Sequence, residues 1–420
     1  MNLTNQSKDL INFFRNNDPL TLCVPHNERV DPMFMQLYTD IKKGVQYVSN
    51  MKKQPIVDDS EIDLVSQIPY PETFSASSFP SEIREHIDST SNYKISYQAK
   101  DFGRSVTFHF ILEGQTSVDI DQYIEYANRM MVWFYILNEY AAIKCSKELK
   151  VYFYMTSHKK ELPKNNMEII GWENANTAFT SGCRKASEIV IYRKEEWFKV
   201  FLHETFHCFG LDFADMNMNE CNKKIKKVFN IKTKIELYES YTETWAEIWN
   251  ICFCSFLTIK NWKDTKEYLK LCHKLISVEI KFSAFQCVKV LAFMGLTYDN
   301  LVGNTQNDKD LSSTLYKENT NVFAYYILKL GLLYNYDQFY EWCKTNNTSI
   351  IQFKKTPKNL EKFCNFILNK DIVDDARGLV NNYRTNIPTM FKNPAKTPKK
   401  KKLYKFLTNT MRMTVSELDY

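Results

Sequence analysis

Glycine and proline are scarce in this chain, which holds 10 and 12 of them among its 420 residues. Collagen-like and low-complexity proteins need one or both in abundance, so these classes are excluded. Long apolar runs are missing too. The nearest candidate, Ile248–Ile259, has 12 residues and includes Asn250, whereas a bilayer-spanning helix needs about 20. The opening residues, MNLTNQSKDL, lack the apolar core of a secretory signal. We therefore expect a cytoplasmic protein, with the nucleus or a virion as alternatives and no membrane partner.

Cysteine motifs with metal-binding or redox spacing are also absent. The 11 cysteines contain no CxxC pair, which leaves a zinc ribbon or a thioredoxin-type site without support. In the reducing interior of a cell, unpaired thiols most often serve as small apolar core residues. We expect reduced, buried cysteines.

Positive charge is missing from most of the chain. The formal net charge is +6, and residues 391–420 alone hold eight basic and two acidic residues, so the other 390 residues are neutral. A neutral body is a poor candidate for binding nucleic acid over its surface. We expect residues 391–420 to form a mobile basic tail. Its lysine run, Lys399–Lys402, suits nuclear import or docking to an acidic surface, and any nucleic-acid contact would be confined to residues 396–405.

The composition is globular, with 44% hydrophobic and 25% charged residues, and the length exceeds what one core usually supports. Hydrophobic periodicity places strands and helices in the first half and helices alone in the second, so we expect an α+β protein. We divide it into an N-terminal segment (1–95), a mixed domain (96–260), a helical domain (261–390) and the basic tail (391–420).

Individual elements follow from the same periodicity. Four prolines at positions 55–80 predict a long irregular connection there, and the lack of proline from Lys164 to Thr356 favours long helices. The predicted strands are Ser105–Leu112, Leu149–Met155, the short edge strand Asn176–Thr180 and Glu188–Tyr192. The predicted helices are Asp119–Ala142, Glu195–Phe209 with Gly210 as its stop, Lys234–Ile259, Thr265–Leu296, Asn321–Cys343 and Leu360–Leu368.

An HExxH motif, His203 to His207, lies within the predicted helix Glu195–Phe209. Positions i and i+4 share one helix face, so both imidazoles can reach a single zinc ion. Glu204 stands beside the open coordination position, where it can take a proton from a zinc-bound water of pKa about 7. With seven histidines in the chain, composition predicts on the order of 0.01 chance matches. The motif therefore predicts a zinc site with Glu204 as the general base.

These residues resemble the zincin metallopeptidases, whose catalytic half carries HExxH on a helix that follows a sheet. The resemblance covers about residues 100–260 and implies a zincin-like fold. The metzincin branch, HExxHxxGxxH, is matched at Gly210 but has Phe213 in place of the third histidine, with Asp212 one residue out of register. That branch stays a minor alternative.

The gluzincin branch fits better. Glu243-Thr-Trp-Ala-Glu247, on an apolar helix, is similar to its second-helix pattern. The resemblance implies that Glu243 is the third zinc ligand and that Glu247 accepts a hydrogen bond from a histidine ring, with Glu239, one turn earlier, as the rival ligand. The 35 residues between His207 and Glu243 exceed the usual spacing, so we expect the Met216–Lys234 insert to loop out.

We expect a zinc metallopeptidase that cleaves a peptide or protein held extended along the edge strand Asn176–Thr180. Endo- and exopeptidase activity both stay open, and Tyr238, Tyr241, His158 and His273 are equal candidates for stabilising the oxyanion. The alternative is an inactive zincin-fold scaffold, such as a virion component. The bias towards Lys, Asn, Ile, Phe and Tyr is typical of an A+T-rich genome and is compatible with a large DNA virus.

Overall fold

The fold is taken from a computed structural model that describes residues 2–17, 28–51, 56–115, 117–391 and 397–419. Cys23, Lys392 and Lys396, which enter the sequence-based predictions, lie outside these ranges. The protein is α+β, as predicted. The strands are β1 Asn2–Leu3, β2 Ile56–Glu61, β3 Ser91–Asp101, β4 Arg104–Glu113, β5 Glu148–Tyr154, β6 Ala178–Thr180, β7 Ala186–Ile191 and β8 Leu418–Asp419.

The helices described lie mostly after residue 195. They are α1 Asn5–Asn16, α2 Asp31–Ser49, α3 Ser81–Thr90, α4 Ile120–Tyr140, α5 Trp172–Ala175, α6 Trp197–Cys208, α7 Asn219–Val228, α8 Leu237–Thr258, α9 Thr265–Phe293, α10 Tyr298–Val302, α11 Gln306–Leu315, α12 Lys329–Tyr334, α13 Tyr336–Asn346, α14 Pro357–Ile367, α15 Lys370–Met390 and α16 Pro398–Asn409. A π-helical segment, Phe323–Leu328, leads into α12.

The chain forms two compact units, each built from more than one stretch of sequence. The sheet unit comprises Met35–Lys159 and Asn176–Asp212, and the helical unit comprises Met1–Phe34, Lys160–Ala175 and Phe213–Asp419.

The sheet unit is built on a six-stranded mixed sheet in the order β2-β3-β4-β5-β7-β6. Strands β4, β5 and β7 run parallel, whereas β2, β3 and β6 pair antiparallel at the two sides. Phe102 and Gly103, both with positive φ, form the tight turn between β3 and β4, as two-residue hairpins require. The predicted edge strand is confirmed, since β6 is the outermost strand next to β7.

Helix α6, which carries the HExxH motif, packs its aromatic residues on one face of the sheet. The rings of Phe201 and Phe153 lie 6.0 Å apart, and those of Trp197 and Phe153 lie 5.6 Å apart. From α4, Trp133 donates its Nε1–H to Thr205 Oγ1 at 2.7 Å, and both groups are buried. A buried hydrogen bond at the centre of a helix fixes its rotation, so these contacts set the direction in which the motif points.

The second face of the sheet is covered by the segment predicted to be an irregular connection. Its residues form a buried apolar cluster with side chains of β4, β5 and β7. The prediction was wrong for Ile56–Glu61, which is strand β2. The sequence IVDDSE ends in four successive polar residues, all of them exposed, so it lacks the apolar alternation by which a strand is recognised. The members of the cluster are Ile62, Ile68, Phe79, Ile83, Ile87, Ile111, Tyr152, Tyr154, Val190 and Tyr192.

The helical unit surrounds α8, whose residues are buried on all sides from Glu239 to Phe256. Helices α9 and α12 and the π-helical segment pack against it. The single helix predicted for Asn321–Cys343 is divided into the π-helical segment, α12 and α13. The insert predicted to loop out, Met216–Lys234, contains helix α7.

The mobile tail is the clearest wrong prediction. Residues 398–409 form α16, and Thr410–Ser416 is buried within the helical unit. Gln286, Tyr326 and Asn250 each donate a hydrogen bond to a backbone carbonyl of residues 410–416. Strand β8 then pairs antiparallel with β1. The lysines of α16 lie on its exposed side, and their charge made the whole segment look solvated in the sequence. The apolar residues that are buried, Met411, Met413 and Val415, come after the lysines.

The expectation of reduced cysteines was wrong at one pair. A disulfide joins Cys145 to Cys183 in the sheet unit. Among the other described cysteines the expectation of burial holds, and the buried free thiols are those of Cys208, Cys221, Cys252, Cys254, Cys272, Cys287, Cys343 and Cys364. No helix in the described ranges has both the length and the apolar character needed to cross a bilayer.

Candidate metal centre

The two motif histidines point towards a common position from one face of α6. Their Nε2 atoms lie 3.0 Å apart, and their rings are close to perpendicular. Two imidazole nitrogens bound to one tetrahedral zinc would be about 3.4 Å apart, given Zn–N distances of about 2.1 Å. The helix therefore holds both nitrogens at nearly the separation that a shared ion requires, as the HExxH spacing predicts.

Asp212 holds the second histidine by its other ring nitrogen. His207 Nδ1 is hydrogen-bonded to Asp212 Oδ2, and the side chain of Asp212 is 2% exposed. A carboxylate can only accept, so the neutral ring donates Nδ1–H and keeps a lone pair on Nε2. This is the tautomer that binds a metal through Nε2, and a carboxylate behind a ligand histidine is common in zinc sites.

Gly210 is the residue that brings Asp212 back to the helix. It has a φ of +67°, and Leu211 N–H donates to Phe206 C=O at 2.9 Å, which ends α6 in a left-handed turn. The predicted helix stop is confirmed. Sequence reasoning missed the role of Asp212, since it was weighed only as a misplaced third ligand. The available signal was a glycine stop followed two residues later by an acid.

The disulfide lies directly against this turn. A methyl group at Gly210 would lie 3.2 Å from Cys183 Cβ and 3.4 Å from Cys145 Sγ. Next to it, Ser146 Oγ donates to the Cys208 carbonyl at 2.9 Å. Burial raises the pKa of the Cys208 thiol to about 12, so this sulfur is protonated at neutral pH in the protein as described. The cysteines here brace the end of α6.

Helix α8 of the helical unit carries both glutamates that the sequence offers as the third ligand. Glu239, the rival candidate, lies in the first turn of α8 and is 7% exposed, whereas Glu243, the preferred one, is 1% exposed. Two imidazoles and one carboxylate would form a donor set that suits catalytic zinc, which keeps a fourth position for water.

Polar residues from the π-helical region hold Glu239. Asn321 Nδ2 donates to Glu239 Oε1 at 3.2 Å, and the Tyr325 hydroxyl donates to Oε2 at 3.1 Å. After accepting these bonds, each carboxylate oxygen keeps a second lone pair, which is available to a metal ion. Both donors were missed by sequence reasoning, because 82 and 86 residues separate them from Glu239 and no local pattern links them.

The remaining predicted residues are Glu204 and Glu247. Glu204 lies on α6 next to His203 and is 7% exposed. Glu247 Oε2 accepts from Lys329 Nζ at 2.8 Å, and the same ammonium reaches Ser283 Oγ at 2.9 Å. A lysine thus meets the carboxylate for which a histidine ring was predicted, and for His207 the corresponding partner is Asp212.

The chain matches no protein-family model, no curated protein and no solved structure. The zincin resemblance and a viral origin therefore stay predictions that depend on the motif and on sequence composition.

Proposed function

We propose that this protein is a zinc-dependent peptidase in which His203, His207 and Glu239 hold the metal and Glu204 is the general base. The observation that carries the proposal is the pair of motif imidazoles, whose Nε2 atoms lie 3.0 Å apart on one face of α6. Glu239 is the proposed third ligand because it is less buried than Glu243 on the same helix. The HExxH spacing and the resemblance to zincins support it independently of this geometry.

The hydrogen bond between His207 and Asp212 supports this proposal. A His207 ring that donates Nδ1–H to the carboxylate keeps a lone pair on Nε2, the nitrogen that faces His203. A metal ion can bind to that lone pair, and a carboxylate behind a ligand histidine is common in zinc sites.

Zinc, when bound, would supply Lewis acidity and a water of lowered pKa. The chain supplies the proton transfers. Glu204 would accept the proton of the attacking water and then donate it to the amine that leaves when the peptide bond breaks. Glu204 neighbours the proposed ligand His203 on α6 and is 7% exposed, which suits a base that acts next to the metal.

A peptide substrate would pair with β6. This strand is the outermost of its sheet, and α6 packs beside it. An extended peptide can add to such an edge through main-chain hydrogen bonds, which hold substrates of varied sequence.

The first experiment is metal content by mass spectrometry on the tag-free full chain, comparing wild type with Glu239→Gln and Glu243→Gln. We expect about one zinc per chain in wild type, with loss in Glu239→Gln and retention in Glu243→Gln. Loss only in Glu243→Gln would restore the ligand predicted from the sequence. No zinc in wild type after reconstitution would contradict the proposed function.

Catalysis needs a separate test. Glu204→Gln should retain zinc and lose cleavage of a mixed peptide library analysed by mass spectrometry, since the substitution removes the base and leaves the ligands in place. A variant that holds zinc and cleaves as well as wild type would exclude Glu204 as the base. Zinc binding without cleavage by wild type would favour the scaffold alternative.

A further inference from the structure

A lysine-rich cleft in the helical unit has no part in the proposed zinc chemistry. It has a volume of about 1090 Å³ and is lined by residues of α7, of the segments on either side of α7 and of the first turn of α14. Pockets that bind drug-sized molecules or a few side chains have volumes of about 300–1,000 Å³. The cleft is therefore large enough for a short stretch of polypeptide.

The charge of the cleft is strongly positive for its size. Five lysines line it against two glutamates, Glu220 and Glu361, which gives a net charge of +3. Residues 1–390 as a whole are neutral, so this is a local concentration of positive charge. The lysines are Lys223, Lys224, Lys226, Lys232 and Lys234.

Two of the five lysines pair with exposed glutamates, whereas Lys226 donates to the Lys232 carbonyl and Lys234 pairs with Glu236. Lys223 pairs with Glu220 at 2.7 Å, and both side chains are more than two-thirds exposed. Lys224 pairs with Glu361 at 2.9 Å, where the glutamate is 62% exposed. Water screens exposed ion pairs of this kind, so they contribute little to stability and the carboxylates of a ligand can replace them.

The rest of the lining favours a polypeptide over a nucleic acid. Met216, Cys221, Pro357 and Leu360 provide apolar surface between the lysines. Single-stranded nucleic acids bind by stacking their bases on aromatic rings, and the described lining residues include no aromatic side chain. Carboxylates alternating with aliphatic side chains match both the charges and the apolar surface.

We propose that this cleft binds an acidic segment of a partner protein, with aliphatic side chains between its carboxylates. The inference does not depend on zinc or on catalysis, so it can fail while the proposed function holds.

The test is fluorescence anisotropy of a labelled 12-residue peptide of alternating Glu and Leu, titrated with the full-length protein. The charge-reversal variant Lys223→Glu/Lys232→Glu changes two lining lysines. The matched control, Lys266→Glu/Lys270→Glu, changes two lysines of α9 outside the lining, with the same change in net charge. Thermal melting of each variant establishes that it is folded.

We expect saturable binding that weakens at least tenfold in the cleft variant and less than twofold in the control. An equal loss in both variants would mean attraction by net charge alone and would overturn the proposal. No saturable binding would overturn it too. The same holds if an oligothymidylate or inorganic tripolyphosphate displaces the peptide at equal concentration, since the site would then belong to nucleic acids or small polyanions.

Discussion

The sheet unit and the helical unit accommodate their buried charges in different ways. In the sheet unit, Asp212 lies only five residues from His207, across the turn at Gly210. In the helical unit, Glu279 accepts hydrogen bonds from Thr414, Val415 and Ser416, which are 135–137 residues away. The first pairing can be recognised in a short window of sequence, whereas the second forms only when distant segments pack together.

This contrast explains why Glu247 was assigned to a histidine. A carboxylate on a buried helix needs a cationic partner or hydrogen-bond donors, and that premise was sound. In the sequence, the histidines of the HExxH motif were the donors that could be recognised as partners for Glu247. The structure provides Lys329, 82 residues further along the chain. An acid on a buried helix is therefore evidence that a partner exists, and the identity of the partner depends on the packing.

The largest effect on stability is expected for Glu279, whose hydrogen-bond partners are distant in the sequence. Glu279→Ala should lower the unfolding free energy of the helical unit by about 3–5 kcal/mol, because it leaves the buried N–H groups of Val415 and Ser416 without their acceptor. Urea unfolding followed by circular dichroism measures this. The exposed Glu267→Ala on the same helix is the control and should cost less than about 1 kcal/mol. Equal costs would mean that residues 410–416 contribute little to stability.

The next largest effect is expected from the disulfide of the sheet unit. Cys145→Ser should lower the unfolding free energy of the sheet unit by about 2–4 kcal/mol, the usual contribution of a disulfide that closes a loop of this length, here a separation of 38 residues. Adding dithiothreitol should lower wild type to the level of the variant and leave the variant unchanged. Insensitivity of wild type to the reductant would reinstate the reduced thiols expected from the sequence.

The carboxyl of Glu318 accepts hydrogen bonds from one residue nearby in sequence, Phe323, and from a distant one, Thr233. Burial raises the pKa of this carboxyl from 4.5 to about 7, although Thr233 and the Phe323 N–H donate to it at 2.7 Å. Between pH 4.5 and 7 the folded state binds more protons than the unfolded state, so stability falls as pH rises through this window. At about 1.4 kcal/mol per pKa unit, this shift corresponds to a loss on the order of 3 kcal/mol by pH 8.

Glu318→Gln isolates this contribution, since an amide cannot ionise. Urea unfolding of wild type and variant at pH 5 and pH 8 should show the variant losing less stability over that range. The same pH dependence in both proteins would assign the effect to other groups. The expected order, with the higher stability at the lower pH, is the reverse of that for a carboxyl stabilised by an ion pair.

The smallest change in unfolding free energy is expected for a substitution in the candidate metal centre. Asp212→Asn should weaken zinc binding about 10–100-fold, as the loss of a carboxylate behind a ligand histidine does, with little change in unfolding free energy. Competition with a chromophoric chelator measures the affinity. Asp215→Asn, three residues away and exposed, is the control. An unchanged zinc affinity in Asp212→Asn would make the pairing with His207 structural.

Sequence reasoning located the elements whose apolar residues have a clear period. Helices α4, α6 and α8 and strands β4, β5 and β7 all lie within three residues of their predicted bounds. Strand β3, with the polar sequence SNYKISYQAKD, was missed. So was α15, which carries many charged residues and Pro388 near its end. In β3 the buried residues are three in a row, Ile95 to Tyr97, which is too short a run for a periodic signal. In α15 the buried Ile372, Ala376 and Leu379 do recur at helical spacing, so the signal was present and was overlooked.

The site was predictable to the same extent. His203, Glu204 and His207 follow from helical spacing alone, and the structure directs both rings to one point. The sequence does not decide between Glu239 and Glu243 as the third ligand, because α8 is buried nearly all round and offers no distinct polar face. The role of Asp212 depends on the left-handed turn at Gly210, and the role of Tyr325 depends on a packing contact with the distant Glu239.

The buried segment Thr410–Ser416 has a consequence for synthesis on the ribosome. All parts of the sheet unit precede Phe213, so this unit can fold while the rest of the chain is still being made. The roughly 200 residues that follow take about 10–40 s to translate. During this interval α8 lacks Ser416, whose carbonyl accepts from Asn250. A nascent chain halted before residue 410 would thus carry a finished sheet unit and an apolar helix still open to chaperones.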